Sequence, residues 1–188
     1  MHGIVLLALS LLLAGCQTLS YQEPQSGPRA RVRFATNATN IVVLQTYEDA
    51  NCQVNEQEWM RLVARNLVNP NPKRLGIPRW RFHDNGAKEV YVSAARTLHG
   101  MFTSGEEDKG VFRSTSYRCG VVFSVTFKEG MDYEVEFLPG RTSCSVNISE
   151  IVDRGGTVTV SHVATFDNRV PAARSGCLEK FKHPTRVF

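Results

Sequence analysis

No long hydrophobic run marks this chain. The apolar stretch Ile4 to Ala14, broken only by Ser10, falls well short of the about 20 residues a membrane-spanning helix needs. The first 15 residues carry no lysine, arginine, aspartate or glutamate. No Cys-x-x-Cys pair occurs, which removes the commonest zinc spacing. No His-Glu-x-x-His and no Gly-x-Ser-x-Gly occurs either. No catalytic residue, metal site or cofactor is therefore expected, and the chain reads as a non-enzyme. Acidic residues are missing from Trp59 to His83, where six basic ones stand.

What is present begins with residues 11–16, Leu-Leu-Leu-Ala-Gly-Cys. An apolar segment ending in small residues has the form of a secretory signal. With the cysteine it resembles the lipobox of bacterial lipoproteins. That resemblance implies removal of residues 1–15, lipidation of Cys16 and permanent anchoring by two or three acyl chains, because a single chain binds only marginally. Gln17, where an aspartate would imply retention at the inner membrane, implies the periplasmic face of the outer membrane. The n-region Met-His-Gly departs from the usual pattern in lacking lysine and arginine.

Residues 16–28 read as the lipidated cysteine and a flexible tether, rich in polar residues with two prolines and a glycine. Such a coil spans roughly 20 Å. Residues 29–188 read as one domain, with an insert at 54–81 and a basic tail at 169–188. The net charge is +4. An exported basic protein is not expected to meet nucleic acid. Its expected partners are the membrane through the anchor, and an envelope protein, anionic lipid or cell-wall polymer.

Period-two alternation dominates the domain. Arg29, Arg31 and Arg33 alternate with Ala30, Val32 and Phe34. Ile41 to Tyr47 and Lys88 to Ala94 read as further strands. From Cys119 to Ile151 the pattern predicts a three-stranded antiparallel meander with turns at 128–131 and 139–142, followed by a strand over 157–165. The expected fold is mostly β. It is an immunoglobulin-like antiparallel β-sandwich of roughly seven or eight strands with a short helical or loop insert, and a small β-barrel is the alternative. In the insert, Trp59, Leu62, Val63 and Leu67 stand at helical spacing, which predicts a short helix over 56–67.

Four cysteines remain beside Cys16: Cys52, Cys119, Cys144 and Cys177. In an oxidising compartment they read as two disulfides. Three pairings exist. Cys119 and Cys144 begin strands expected to flank a shared neighbour, so Cys52–Cys119 with Cys144–Cys177 is favoured.

Among the candidate sites, His83-Asp84 reads as an exposed loop, and His99, His162 and His183 as isolated residues. Glu106-Glu107-Asp108 reads as a hairpin tip. Glu134 and Glu136 share a strand face about 7 Å apart. They read as a solvated face paired with Arg31 and Arg33. The strongest binding candidate is the basic, aromatic insert: Trp59, Arg61, Arg65, Lys73, Arg74, Arg79, Trp80 and Arg81. Aromatic rings beside guanidinium groups suit a headgroup surface or a partner interface.

Beyond the lipobox, three features recur together: an Arg/Val first strand followed by a loop cysteine, Leu75-Gly-Ile-Pro78, and Val125-Thr-Phe-Lys-Glu-Gly-Met-Asp-Tyr-Glu-Val135 ahead of Cys144. Over residues 29–151 this resembles a group of uncharacterised lipoproteins of Gram-negative bacteria. The resemblance implies a β-sandwich and carries no activity. A periplasmic inhibitor of a lysozyme or protease, presenting a protruding loop, is the second expectation. An enzyme whose site is assembled from distant segments is the third.

Overall fold

A computed structural model describes residues 21–50, 52, 54–62, 73–78, 87–110, 113–140 and 143–167. Nine strands form among them: β1 (Arg29–Thr36), β2 (Val42–Tyr47), β3 (Gln57–Leu62), β4 (Lys88–Ser93), β5 (Leu98–Gly110), β6 (Arg113–Val125), β7 (Asp132–Pro139), β8 (Cys144–Arg154) and β9 (Thr157–Asp167). They build two sheets, β4-β1-β7-β8-β9 and β3-β2-β5-β6. The sheets pack face to face and do not close into a barrel, so the sandwich expectation holds. Two details differ from it. The described residues form nine strands, and β1 pairs with β7 in parallel.

The alternation in β1 turns Ala30, Val32 and Phe34 into the space between the sheets, where they meet Leu44, Phe102, Phe123, Val135, Phe137 and Val146. Phe102 stacks on Phe123 at 5.5 Å and on Phe137 at 5.4 Å, which ties both sheets to one aromatic centre. Gly100 lets Phe123 lie directly on the β5 backbone. A Cβ there would stand 2.5 Å from Phe123 Cζ.

The predicted meander is displaced by one strand. β6 belongs to the second sheet, and β7, β8 and β9 form the antiparallel run. The segment 128–131 is a crossing between sheets. Gly130, at φ +74°, takes the conformation such a turn requires. Its N–H donates to Arg29, and the Arg31 N–H donates to Met131, which sets β7 beside β1.

This crossing also corrects the cysteine pairing. β6 and β8 face each other across the sandwich instead of flanking a common neighbour. Cys119 and Cys144 therefore join directly, with Cα atoms 6.1 Å apart. Cys52–Cys119 and Cys144–Cys177 are thus both excluded. Cys52 is fully buried and is itself disulfide-bonded. Its partner lies outside the described residues.

The helix expected over 56–67 is replaced, through residue 62, by β3. Leu44 pairs with Met60 and Gln45 with Glu58, so Trp59 is the extra residue of a β-bulge. The bulge shifts the alternation by one position. Trp59 reaches the same core as Met60 and Leu62, and the sequence imitates helical spacing. Val63 and Leu67 lie outside the described residues. No α-helix forms among those described.

Candidate functional site

The outer face of the five-stranded sheet is where charge was expected to meet solvent. It does not. Segment 73–78 lies over it, and Arg33, Glu89, Asp132, Glu134 and Glu136 are all buried. Arg33 is only 5 % exposed. It donates to Glu89 at 3.0 Å and Glu134 at 3.2 Å, and to the carbonyl oxygens of Ile77 at 2.6 Å and Pro78 at 3.2 Å. Arg31 grips Asp132 through two bonds of 2.6 and 2.7 Å and donates to the Leu75 carbonyl oxygen. The pairing of Arg33 with Glu134 and Arg31 with Asp132 follows from the parallel register. Burial of these ions is tolerable because each guanidinium is matched by carboxylates and carbonyl oxygens.

Beside this network, Glu134, Glu136, Asn147, Ser149, Val160, His162 and Thr165 line a groove of about 350 Å³. The sheet register brings together Glu134, Ser149 and His162, three residues far apart in sequence. Their hydrogen bonds run elsewhere than a nucleophile and its base require. Glu134 is held by Arg33, and His162 Nε2 meets Thr165 Oγ1 at 3.2 Å. Thr165 in turn donates to Asn147 at 2.9 Å.

A larger cleft, about 540 Å³, opens where the N-terminal arm meets the ends of β2, β3, β4 and β5. Pockets for small ligands fall in this size range. Tyr21 forms one wall. Its ring lies 3.9 Å from that of Trp59, its N–H donates to the Trp59 carbonyl oxygen at 3.4 Å, and its hydroxyl donates to the Tyr91 carbonyl oxygen at 2.7 Å. Burial, reinforced by the charge of Glu23 and opposed by Arg96, raises the Tyr21 phenol well above its ordinary value. Trp59 is in turn fixed edge-on against Phe34. A second wall is the loop carrying Glu48 and Asn55. It is closed by Glu48 N–H to the Val54 carbonyl, by Val54 N–H to Asp49 and by the buried Cys52. Thr46, Gln57, Ser93, Thr97 and His99 add hydroxyl, amide and imidazole groups to the lining, and Arg96 adds a guanidinium. Burial also raises the Tyr47 phenol.

The arm is thus seated on the domain from Tyr21 onward, inside the stretch expected to be a flexible tether. Lys73 bonds Glu23 at 2.8 Å, and Arg29 lies 4.2 Å above the Tyr91 ring. Of the expected binding residues, Trp59 is a cleft wall. Arg61 is exposed and bonded to Glu58 at 2.7 Å, which lowers the Glu58 carboxyl below its usual range. Arg74 lies 3.5 Å from Glu89. Arg61, Lys73 and Arg74 therefore each face a carboxylate. Arg65, Arg79, Trp80 and Arg81 lie outside the described residues, as do Cys16, His83, Cys177, His183 and the tail 169–188. Within the cleft only Trp59 and His99 stand out in the sequence. The remaining lining comes from polar residues at strand ends, which carry no motif. Comparison with known proteins finds no matching family, no matching curated protein and no matching solved structure.

Proposed function

We propose that this chain is a lipid-anchored envelope protein, acylated on Cys16 and held at the periplasmic face of the outer membrane, that acts by binding through the Tyr21–Trp59 cleft and not by catalysis. The lipobox-like Leu-Leu-Leu-Ala-Gly-Cys segment and the resemblance to uncharacterised Gram-negative lipoproteins support the anchor. The observation that carries the binding reading is the seating of the arm. Tyr21, Gln22 and Pro24, which follow Cys16 closely in sequence, form a wall of the cleft of about 540 Å³. Anchor and site then lie close together, since the few residues between Cys16 and Tyr21 span at most about 3.5 Å each. The test is membrane fractionation of the wild type and Cys16→Ser, with the mass of the N-terminal peptide. The proposal expects an acylated Cys16 and release of the variant. An unmodified Cys16, or a variant that stays in the membrane, overturns the anchor.

A specific observation favours a second reading, an inhibitor of a periplasmic hydrolase. β5 and β6 pair as far as Gly110 and Arg113, while the neighbouring β2 reaches only Ser104. Beyond Ser104 the hairpin runs on as a two-stranded ribbon with no third strand among the described residues. Its length is about 3.4 Å per residue. Glu106, Glu107 and Asp108 lie on it. Inhibition of a lysozyme or protease by the full chain, lost in a variant with those three residues neutralised, supports this reading. Activity of the hydrolases unchanged by a molar excess of the protein removes it.

A further inference from the structure

The chemistry of the cleft names a ligand class. Charge is nearly balanced in its lining, where Arg96 stands against Glu48. Arg96 is exposed, so among the described residues the cleft presents no desolvated arginine or lysine of the kind that holds a phosphate or carboxylate. The anionic headgroup expected from the basic insert therefore has no matching site here. The uncharged polar lining is instead made largely of groups that both donate and accept. Gln22, Asn55 and Gln57 carry amides, and Thr46, Ser93 and Thr97 carry hydroxyls. Such groups match a ligand whose own polar atoms both donate and accept. The aromatic side chains Tyr21 and Trp59 add apolar surface next to these polar groups, without added charge. Alternating hydroxyl edges and C–H faces are the defining surface of a sugar ring.

We infer that the cleft binds a neutral saccharide of a few rings, presented at the membrane surface. This rests on the reading of the cleft as the binding site. The walls that would define the ligand's shape are held independently of it: the arm by the Tyr21 hydroxyl bond to Tyr91, and the facing loop by Cys52. A preformed site avoids the cost of ordering loops on binding. Because the arm is seated from Tyr21, the cleft mouth stays near the acyl chains. Both a strand of cell-wall glycan lying against the membrane and the sugar portion of a glycolipid fall within reach.

The experiment is titration of the full-length acylated protein in detergent with an N-acetylglucosamine tetramer, read by calorimetry and by tryptophan fluorescence. The Gln57 side chain is exposed, so Gln57→Ala is expected to leave the fold intact. It is expected to weaken binding about tenfold, the loss of one or two hydrogen bonds. His162→Ala, in the separate groove, is expected to bind as the wild type does. A second arm offers vesicles bearing a neutral glycolipid and vesicles of phosphatidylglycerol alone. Tighter binding to the tetramer assigns the cell-wall source, and tighter binding to the glycolipid assigns the lipid source. Binding to phosphatidylglycerol alone overturns the saccharide. So does tetramer binding that Gln57→Ala leaves unchanged, or no binding to tetramer or glycolipid by protein with an unaltered melting curve. Crosslinking from position 57 in cells separates the two levels. Adducts there without sugar binding leave the cleft as the site and remove the saccharide, whereas no adducts remove the cleft itself.

Discussion

The Tyr21 ring rests 3.9 Å from the Trp59 ring, and the Tyr21 hydroxyl reaches across to the Tyr91 carbonyl oxygen. Two residues from opposite sheets, on β3 and β4, thereby hold the N-terminal arm. Its docking turns what composition describes as a tether into part of the folded domain. Tyr21→Ala is expected to destabilise the domain by about 1–3 kcal/mol. It should also expose the segment ahead of Arg29 to limited proteolysis. Cleavage in that segment at the wild-type rate would contradict the docking.

The same residue sets an alkaline limit. The Tyr21 phenol titrates higher in the folded protein than its ordinary 10.0, because burial disfavours the phenolate. A folded-state value above the unfolded one gives stabilisation that is complete below about pH 10 and is lost as pH rises further. Proteolysis of the arm should therefore accelerate above about pH 10 in the wild type. Tyr21→Phe, which has no phenol to ionise, should show no such acceleration from the arm.

Arg33 is the keystone of the covered sheet face. Arg33→Met leaves Glu134 buried without its guanidinium and Glu89 with only the more distant Arg74. Loss of about 3–5 kcal/mol in urea unfolding is expected. Adding Glu89→Gln and Glu134→Gln to Arg33→Met should recover much of it, since the cost comes from uncompensated charge. A single variant as stable as the wild type would show that the carboxylates are solvated.

Gly100 is required by the ring beneath it. A methyl group at that position would come within 2.7 Å of both Cζ and Cε1 of Phe123, and Phe123 is fixed between sheets by its stack on Phe102. Gly100→Ala should cost about 1–3 kcal/mol, as overpacked cores do. Unchanged thermal unfolding would mean that the ring can move aside.

The cysteines give a covalent check. Peptide mapping without reduction should recover a Cys119–Cys144 peptide. With those two paired and Cys16 acylated, it should recover Cys52 joined to Cys177. Replacing Cys119 and Cys144 together by serine should destabilise by roughly 2–4 kcal/mol. A Cys52–Cys119 peptide would contradict the packing of β6 against β8.

The strands most visible in the sequence were those with an inner face of branched and aromatic residues, such as Val32 and Phe34 in β1. β5 was not visible, because Gly100, Gly105 and the acidic residues after it interrupt any alternation. Trp59 misled for a different reason, since one bulged residue converts period two into apparent helical spacing. The pairing of Arg33 with Glu134 was legible as complementary charge on one face. Its burial was not, because alternation tells which residues share a face and not what covers it. That cover comes from Leu75, Ile77 and Pro78, whose backbone carbonyl oxygens leave no trace in side-chain pattern. The cleft was the least legible feature. Its lining comes from the arm, a loop and the ends of four strands, joined only by the fold.

The account centres on a binding cleft held next to a lipid anchor. A photo-crosslinking residue at position 57, compared in wild-type and Cys16→Ser cells, tests that arrangement most directly. The account predicts discrete adducts in the membrane fraction for the wild type. It also predicts their loss when Cys16→Ser releases the protein, with no adducts from a control position such as 158 on β9. Equal adducts from positions 57 and 158, or adducts unchanged by Cys16→Ser, would contradict it.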